Sequence, residues 1–339
     1  MIPDMPTGPS NETPRDDPGR GPVEADVTVI IPTRDRLWRL PQAVASCRGA
    51  DARVQIIVAD DGSSDGTWEW LGQQPDVLAL QTYGWGKPFA VNRAYREVQG
   101  RYVRFLDSDD WLPEGAIDRQ LAMAEDAGAD LVVAGYEIYH DDAYERTSPW
   151  VDCDDFVAQQ LGECDSSHYS AFTFRRELTD EIPHRTSFPA ANFASRDDRC
   201  FMIEAALAAP RITVDREPGL CHRHHDRGRL QFRRGLGDVG TNIQHLLIYR
   251  QALRLLEQRG ELTPRRKRAA CNVLWPLAHR IAYTHPAEGA DVAAWVHELC
   301  PDFRPPEPGA LGHLYERFGF RHTERILRLR RTLLQPFQR

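Results

Sequence analysis

The sequence lacks three features that would place the protein in other broad classes. No apolar run approaches the about 20 residues that a membrane-spanning helix needs, so no such span is predicted. The seven cysteines are scattered and never spaced as CxxC, which argues against a disulfide-stabilised scaffold or a zinc finger and favours reduced thiols. Positive charge is not in excess, because the net charge is −8, and we therefore expect no nucleic-acid partner.

The N-terminal segment also lacks the apolar stretch of a secretory signal. Residues 1–25 are rich in acids, proline and glycine, and we expect them to form a disordered leader. The 339-residue chain as a whole has a globular composition, with 41% hydrophobic and 27% charged residues. These features predict a cytoplasmic protein built from one large domain, or from a core with an appendage.

Strand-like and helix-like segments alternate between residues 27 and 139. This alternation predicts right-handed βαβ units and hence an α/β fold with a Rossmann-like, mostly parallel sheet covered by helices on both faces. Residues 141–189 indicate loops and short strands, and the chain from residue 238 onward has helical spacing. Strands are predicted at 27–32, 54–59, 77–81, 102–106 and 130–139, and helices at 37–47, 65–71, 88–98, 114–127, 199–209, 238–259, 264–284, 290–300 and 311–334.

Polar clusters follow three of the predicted strands. Thr33–Asp35, Asp60–Ser63 and Asp107–Asp110 each come directly after an apolar run. Because ligands of parallel sheets bind beyond the carboxyl ends of the strands, we expect these clusters to converge at one binding edge. Asp107 and Asp109 form a D-x-D pair whose carboxylates suit Mg²⁺ or Mn²⁺. The alternative is a surface turn that is merely rich in aspartate.

Three longer segments around these clusters resemble the family 2 glycosyltransferases of the GT-A fold. They read VTVIIPTRDR, VQIIVADDGSSDGTW and GKPFAVNRAYREVQGRYVRFLDSDDWLPEGAI, and the resemblance covers about residues 26–135. It implies a GT-A catalytic domain over residues 26–234, with a nucleotide-sugar half (26–135) and an acceptor-side half (136–234). Residues 235–339 would then form a helical C-terminal extension.

The resemblance also implies which residues contact the donor and the metal. The loop after the first strand and the first aspartate pair would bind the base and the ribose, and later residues would approach the diphosphate. Asp109 is the implied metal ligand. The implied donor contacts are Pro32, Thr33, Arg34, Asp35, Asp60, Asp61, Lys87, Asn92, Asp107 and Ser108.

Two later segments complete the implied site. DDRCF at 197–201 resembles the family's ED-x-x-F segment, so Asp198 is implied as the catalytic base that deprotonates the acceptor hydroxyl. The alternative is an acid in the first turn of the following helix, and both roles are compatible. Counted from Cys221, the segment CHRH resembles the family's YRxH segment and makes His224 a metal ligand. A solvated basic loop is the alternative there.

The expected function is a metal-dependent, inverting glycosyltransferase. The cofactor would be Mn²⁺ or Mg²⁺, the donor a UDP-sugar with dTDP- and GDP-sugars as alternatives, and the acceptor a free hydroxyl. The competing hypothesis is a non-catalytic sugar-nucleotide-binding or scaffold protein with the same fold. A nucleotidyltransferase is disfavoured because IPTRDRLWRL has no glycine-rich phosphate loop.

The terminal helix combines apolar residues with many arginines. Such a helix can contact the inner membrane face peripherally, or it can dock on its own domain or on another subunit. Both alternatives stay open at the level of sequence, and no oligomeric state is predicted.

Overall fold

The computed structural model describes residues 25–184, 187–188, 191–192, 196–225 and 236–334, so the predicted leader lies outside the described residues except for its last residue. The strands are β1 (Ala25–Thr33), β2 (Val54–Asp60), β3 (Val77–Gln81), β4 (Gly100–Phe105), β5 (Leu131–Ala134), β6 (Tyr136–His140), β7 (Ala143–Ser148), β8 (Thr173–Arg175), β9 (Ser187–Phe188), β10 (Ala191–Asn192), β11 (Ile212–Asp215) and β12 (Cys221–His224).

The helices follow the apolar spacing of the sequence. Proline lies in the first turn of α1, α3, α9 and α10, where its missing N–H is not needed and its fixed φ suits the helix. No described helix is both long and apolar enough to cross a membrane. The helices are α1 (Leu40–Ser46), α2 (Thr67–Leu71), α3 (Lys87–Tyr95), α4 (Ala116–Ala127), α5 (Phe156–Leu161), α6 (Arg176–Asp180), α7 (Asp197–Leu207), α8 (Leu236–Gln258), α9 (Pro264–Thr284), α10 (Pro286–Leu299) and α11 (Gly309–Leu334).

A seven-stranded sheet, counted over the described residues, has the strand order β11-β5-β8-β4-β1-β2-β3. The strand β1 pairs in parallel with β2 and β4, β3 pairs in parallel with β2, and β11 pairs in parallel with β5. The short strand β8 runs antiparallel between β4 and β5. This topology confirms the predicted α/β class and the mostly parallel sheet.

The strand predicted over 130–139 is wrong as one element, because the chain divides at Gly135 into β5 and β6. A Cβ atom at Gly135 would lie 2.4 Å from the Ser148 carbonyl oxygen and 2.7 Å from the Trp150 amide nitrogen. The missing side chain therefore lets the returning strand approach closely while the chain leaves the central sheet. The strand β6 pairs antiparallel with β7 and parallel with β12 in a second sheet.

The buried apolar side chains of the described residues form two clusters. The first packs around the central sheet. The second joins α8, α9, α10 and α11 to α5 and α7, with Trp275 of α9, Leu161 of α5 and Ile203 of α7 among its members. The C-terminal helices therefore pack directly on the helix whose first turn contains Asp198. The domain boundary at 234/235 stays a prediction.

Replacing Gly135 by alanine should destabilise the protein, because the added methyl group would meet backbone atoms that cannot rotate away. Overpacking of this kind costs about 1–3 kcal/mol. The free energy of unfolding is to be measured by urea denaturation monitored by circular dichroism. The matched control is Gly240→Ala in α8, where no heavy atom lies within 4 Å of the added Cβ. That control should be neutral, or stabilising by up to about 1 kcal/mol. Equal urea midpoints for both variants would contradict the close approach at Gly135.

Candidate active site

The loops after β1, β2 and β4 meet at one edge of the central sheet. Thr33 ends β1 beside Asp60 at the end of β2, and the Thr33 carbonyl accepts a hydrogen bond from the Asp61 amide at 2.8 Å. On the other side of β1, the Leu106 amide donates to the Ile30 carbonyl at 2.9 Å, directly before the D-x-D turn. The structure therefore brings the three polar clusters together, as the strand pattern predicts.

Asp61 connects the end of β2 to the loop after β3. Its Oδ1 accepts hydrogen bonds from the Thr82 hydroxyl at 2.7 Å and from the Trp85 amide at 3.0 Å. Its Oδ2 accepts one from the Gly86 amide at 2.8 Å. Gly86 directly precedes α3, so this buried carboxylate helps to fix the start of the helix that carries Lys87.

Asp60 and Asp35 organise the adjacent loop through serine residues. Asp60 is buried and accepts hydrogen bonds from both the amide and the hydroxyl of Ser63. Asp35 accepts one from the Ser64 amide at 2.7 Å, and its own amide donates to the Ser63 hydroxyl at 2.8 Å. Arg34, which directly precedes Asp35, is exposed. The roles of these residues in donor binding stay predictions.

Three further predicted donor residues also line the edge. Pro32, Thr33 and Ser108 are buried. The Thr33 hydroxyl oxygen has no hydrogen-bond partner among the described residues. A buried hydroxyl without a partner is costly unless a bound molecule or water supplies one. A ligand bound at this edge could supply that partner.

Lys87 and Asp107 form an ion pair across the edge. The Nζ atom lies 2.7 Å from Asp107 Oδ1 and 5.3 Å from the centre of the Tyr169 ring. Burial raises the pKa of Asp107, but the charge of Lys87 outweighs it, so the pKa lies below its usual range. Farther along α3, Asn92 Oδ1 accepts a hydrogen bond from the His184 amide at 3.0 Å, and Asn92 Nδ2 donates one to the His184 carbonyl at 2.7 Å. Asn92 therefore joins α3 to the segment before α7.

Asp109 is paired with a histidine from beyond β12. Its Oδ2 lies 3.0 Å from His225 Nε2 and 3.8 Å from Arg36 Nε. Burial raises the pKa of Asp109, but the hydrogen bond from His225 and the charge of Arg36 outweigh it and hold the pKa at about 2. The second ring nitrogen of His225 is buried without a partner among the described residues.

Asp110 is bonded to the neighbouring part of β12. Its Oδ2 lies 2.9 Å from His222 Nδ1, and its Oδ1 accepts a hydrogen bond from the Arg223 amide at 2.8 Å. The His222 ring stacks on the His168 ring at 5.0 Å. Potential ligand atoms of Asp110, His168 and His222 all lie within 4.8 Å of one another. His168 Nδ1 accepts a hydrogen bond from the Ser170 amide at 3.3 Å, so the neutral ring carries its proton on Nε2.

The first turn of α7 is held by several contacts. Asp197 is buried, and its Oδ2 lies 3.0 Å from His184 Nδ1. Asp198 is partly exposed and accepts a hydrogen bond from the Arg199 amide at 2.7 Å. The Arg199 guanidinium donates to the Ser166 hydroxyl at 3.2 Å. The turn therefore presents Asp198 from a fixed backbone.

The sequence motifs assign no role to His168, His222 or His225. Two of them carry a signal, because counting the YRxH segment from His222 puts its arginine at Arg223 and its histidine at His225. The predicted ligand His224 lies at the end of β12, where its ring contacts the His222 ring edge-on at 5.1 Å. His168 belongs to no motif, and its place follows from tertiary packing alone.

The family model described as glycosyl transferase family 2 matches residues 28–199, just over half of the 339-residue chain. The matched residues include the strands β1 to β5 and the polar loops at the sheet edge, so fold and motifs both indicate the glycosyltransferase class. The chain belongs to glycosyltransferase family 2.

Similar proteins come from several bacteria. The putative glycosyltransferase EpsH of Bacillus subtilis (strain 168) is 24% identical over 235 residues, which cover 63% of this chain and 64% of EpsH. The UDP-Glc:α-D-GlcNAc-diphosphoundecaprenol β-1,3-glucosyltransferase WfaP of Escherichia coli is 32% identical over 91 residues, which cover 26% of this chain and 36% of WfaP. The chain thus spans less than two thirds of the length of these relatives.

A solved structure shares the fold over most of the chain. The crystal structure of S. aureus TarS 1–349 in complex with UDP-GlcNAc has a TM-score of 0.53 and 16% sequence identity. The match covers 90% of this chain and 92% of that chain. At this identity the likeness concerns the fold, and it confirms the predicted architecture.

Replacing His168 by glutamine should change how stability depends on pH. Burial, and then the charge of His222, lower the pKa of His168 to about 4, whereas the unfolded residue titrates near its usual value of 6.5. The unfolded chain therefore binds more protons between these values, and the free energy of unfolding falls as the pH falls through this window.

In the variant, the pH slope of the unfolding free energy should decrease by up to about 1.4 kcal/mol per pH unit in that window. Urea denaturation from pH 4 to pH 8 measures this slope. At pH 8 the imidazole is neutral in both states, so any remaining difference is a constant offset. An unchanged slope would show that burial does not keep His168 neutral.

Proposed function

We propose that the protein is an inverting, metal-dependent glycosyltransferase that moves a sugar from a nucleoside-diphosphate sugar to an acceptor hydroxyl. One observation carries this proposal: the polar loops after β1, β2 and β4 meet at one edge of the sheet, where Lys87 Nζ lies 2.7 Å from Asp107 Oδ1. Burial lowers the pKa of Lys87, but nearby acidic groups, chiefly Asp107, raise it well above its usual value.

Asp109 and His225 fit a divalent metal ion. Mg²⁺ and Mn²⁺ take carboxylate oxygens as ligands. The low pKa keeps the Asp109 carboxylate ionised, and His225 Nε2 could become a second ligand by giving up its hydrogen bond to Asp109. An imidazole beside a carboxylate also suits Mn²⁺. When bound, the ion would supply electrostatic stabilisation of the leaving diphosphate.

The group formed by Asp110, His168 and His222 is less suited to this ion. His168 Nδ1 uses its lone pair for the Ser170 amide, so its other nitrogen carries a proton and cannot ligate without breaking that bond. We infer that His168 presents a hydrogen-bond donor to the site.

The proposed donor is a UDP-sugar. Arg34, Arg36 and Lys87 lie around the acidic edge and suit the negative diphosphate. The TarS structure contains UDP-GlcNAc, and the name of WfaP specifies a UDP-glucose donor, which supports uridine as the base. The dTDP- and GDP-sugars are the alternatives that binding measurements distinguish.

The proposed base is Asp198. The acceptor oxygen forms a bond to the anomeric carbon while the bond from that carbon to the diphosphate oxygen breaks. The electron pair of the broken bond leaves with the diphosphate, and Asp198 takes the proton of the acceptor hydroxyl. Attack from the face opposite the leaving group inverts the anomeric centre. His184 and Asp197 act as positioning residues, since their contact holds the turn that presents Asp198.

Asp109→Ala should remove metal-dependent nucleotide binding, because the variant lacks the carboxylate proposed to hold the ion. The measurement is a thermal-shift series with UDP, dTDP, GDP and CDP, each with Mn²⁺, Mg²⁺ or a chelator. A ligand that binds the native state raises the melting temperature by mass action. The wild-type chain should respond to one nucleotide with metal, and the variant should not. Asp126→Ala, which removes an exposed carboxylate from α4, is the control and should respond like wild type. A nucleotide shift of equal size with the chelator would overturn the metal dependence.

Asp198→Asn should abolish transfer and keep nucleotide binding, because the amide cannot accept the hydroxyl proton. General-base catalysis contributes about 10²–10⁴-fold to a rate. Donor turnover by the wild-type chain is measured by release of the nucleoside diphosphate, and the anomeric configuration of the product by NMR.

Asp126→Asn is the control and should turn over normally. A wild-type chain that binds nucleotide without turning over any donor would favour the non-catalytic binding protein. A retained anomeric configuration would overturn inversion.

A further inference from the structure

Basic side chains from three helices meet at the first turn of α7, in what we call the α7 basic cluster. Arg196 directly precedes α7, and Arg199 lies in its first turn. His245 belongs to α8 and Arg280 to α9. The three helices pack in one apolar cluster, and the charges of all three arginines act on the His245 ring. Since the charge of Asp198 acts in turn on Arg196, the cluster lies beside the candidate base.

Two polar atoms of the cluster are buried without a partner. His245 is 7% exposed, and its Nδ1 forms no hydrogen bond within the described residues. The Nε of Arg196 is likewise buried with no partner among them. The Tyr249 ring contacts the His245 ring edge-on at 5.3 Å, which supplies packing only. Because a buried polar group without a hydrogen bond is costly, both atoms need a partner that the described part of the chain does not supply.

The cluster also carries more positive charge than the acids around it balance. Neither Arg196 nor Arg280 forms an ion pair with any residue that the structure describes. The Arg199 guanidinium donates to the Gln160 carbonyl at 3.1 Å, which is a neutral partner. Burial lowers the pKa of Arg196, and the charges of the other two arginines lower it further against the opposing charge of Asp198. A bound anion would reduce this repulsion and would also supply the missing hydrogen bonds.

We propose that Arg196, His245 and Arg280 bind a phosphate group of the acceptor substrate. Guanidinium groups donate charge-assisted hydrogen bonds to phosphate oxygens, and a neutral imidazole donates one through its N–H. The assignment to the acceptor rests on the proposed function, in which Asp198 takes the proton of the acceptor hydroxyl. A phosphate held beside Asp198 would position that hydroxyl for attack.

The location of the cluster separates it from the proposed donor site. The residues proposed for the donor lie in the loops after β1, β2 and β4 and on α3, whereas His245 and Arg280 come from helices beyond residue 235. The bound phosphate is therefore distinct from the donor diphosphate. It can belong to a polyol phosphate or to a lipid phosphate, which present the same group to the cluster.

The test is calorimetric titration of the full chain with soluble phosphate esters, at low salt and with a chelator. Glycerol 3-phosphate is the probe for a polyol phosphate, and hexyl phosphate is the probe for a lipid phosphate. Glycerol and hexanol are their uncharged counterparts. The wild-type chain should bind at least one ester and neither alcohol, and the tighter ester identifies the source of the phosphate.

The variant Arg196→Gln/Arg280→Gln should weaken ester binding by about 10- to 100-fold, since charge-assisted hydrogen bonds are lost. His245→Phe keeps a ring beside Tyr249 without its nitrogens and should also weaken binding. The matched control Arg96→Gln/Arg254→Gln removes the same charge from exposed positions elsewhere and should bind like wild type.

Stability without ligand distinguishes a binding role from a structural one. The arginines repel each other, so the melting temperature of Arg196→Gln/Arg280→Gln should equal or exceed that of wild type. Arg196→Lys/Arg280→Lys keeps both charges and should bind the esters more tightly than the glutamine pair, which separates loss of charge from loss of folding. Equal binding by the lysine and glutamine pairs would contradict the phosphate site.

Three further results would overturn the proposal. They are no preference of the wild-type chain for the esters over the alcohols, an equal loss of binding in the control pair, and loss of ester binding when UDP and Mg²⁺ are present. The last result would assign the cluster to the donor diphosphate. A chain that turns over a donor but binds neither ester loses this inference alone. A chain that binds an ester without turning over any donor loses the assignment to an acceptor together with the transfer reaction.

Discussion

The placement of two adjacent carboxylates at the sheet edge, with Asp110 buried and Asp109 partly buried, is the constraint on which the candidate site depends. Asp109 and Asp110 repel each other and lose hydration where the D-x-D turn enters the protein, so each needs a compensating partner. The segment that follows the central sheet supplies both partners, with His225 at Asp109 and His222 at Asp110. The Arg223 guanidinium adds a hydrogen bond to the Asp109 carbonyl at 2.6 Å. Without these partners the turn could not keep ionised oxygens at the sheet edge.

The path of the chain makes this compensation possible. At Gly135 the polypeptide leaves the central sheet and continues as β6, and β12 returns beside it in parallel. An isolated antiparallel bridge between Trp111 and Cys221 joins β12 to the residues that follow the D-x-D turn. The close approach at Gly135 accompanies the start of β6, and β12, which contains His222, pairs with β6. The second sheet therefore supplies residues that contact the carboxylates of the site.

The other side of the site is supported by helices. Asn92 of α3 holds the backbone of His184, and the His184 ring holds Asp197 in the first turn of α7. The back of α7 packs in the same apolar cluster as α8, α9 and α10. The C-terminal helices thus support the helix that presents Asp198, and α11 packs in the same cluster.

The sequence by itself determined β1 to β4, the helices α1 to α4 and α7 to α11, and the three polar clusters that meet at the sheet edge. These features depend on local patterns, because periodicity sets the element and the end of a parallel strand sets the place of the cluster. It also contained the segment with His222 and His225, although the motif had to be counted one residue later. Only the tertiary structure decided which histidine meets which aspartate, since Asp109 and His225 are 116 residues apart and their contact depends on the pairing of β12. The same holds for His168, which reaches the site through packing, and for α11, whose buried face is set by the packing of Phe320, Thr323 and Glu324.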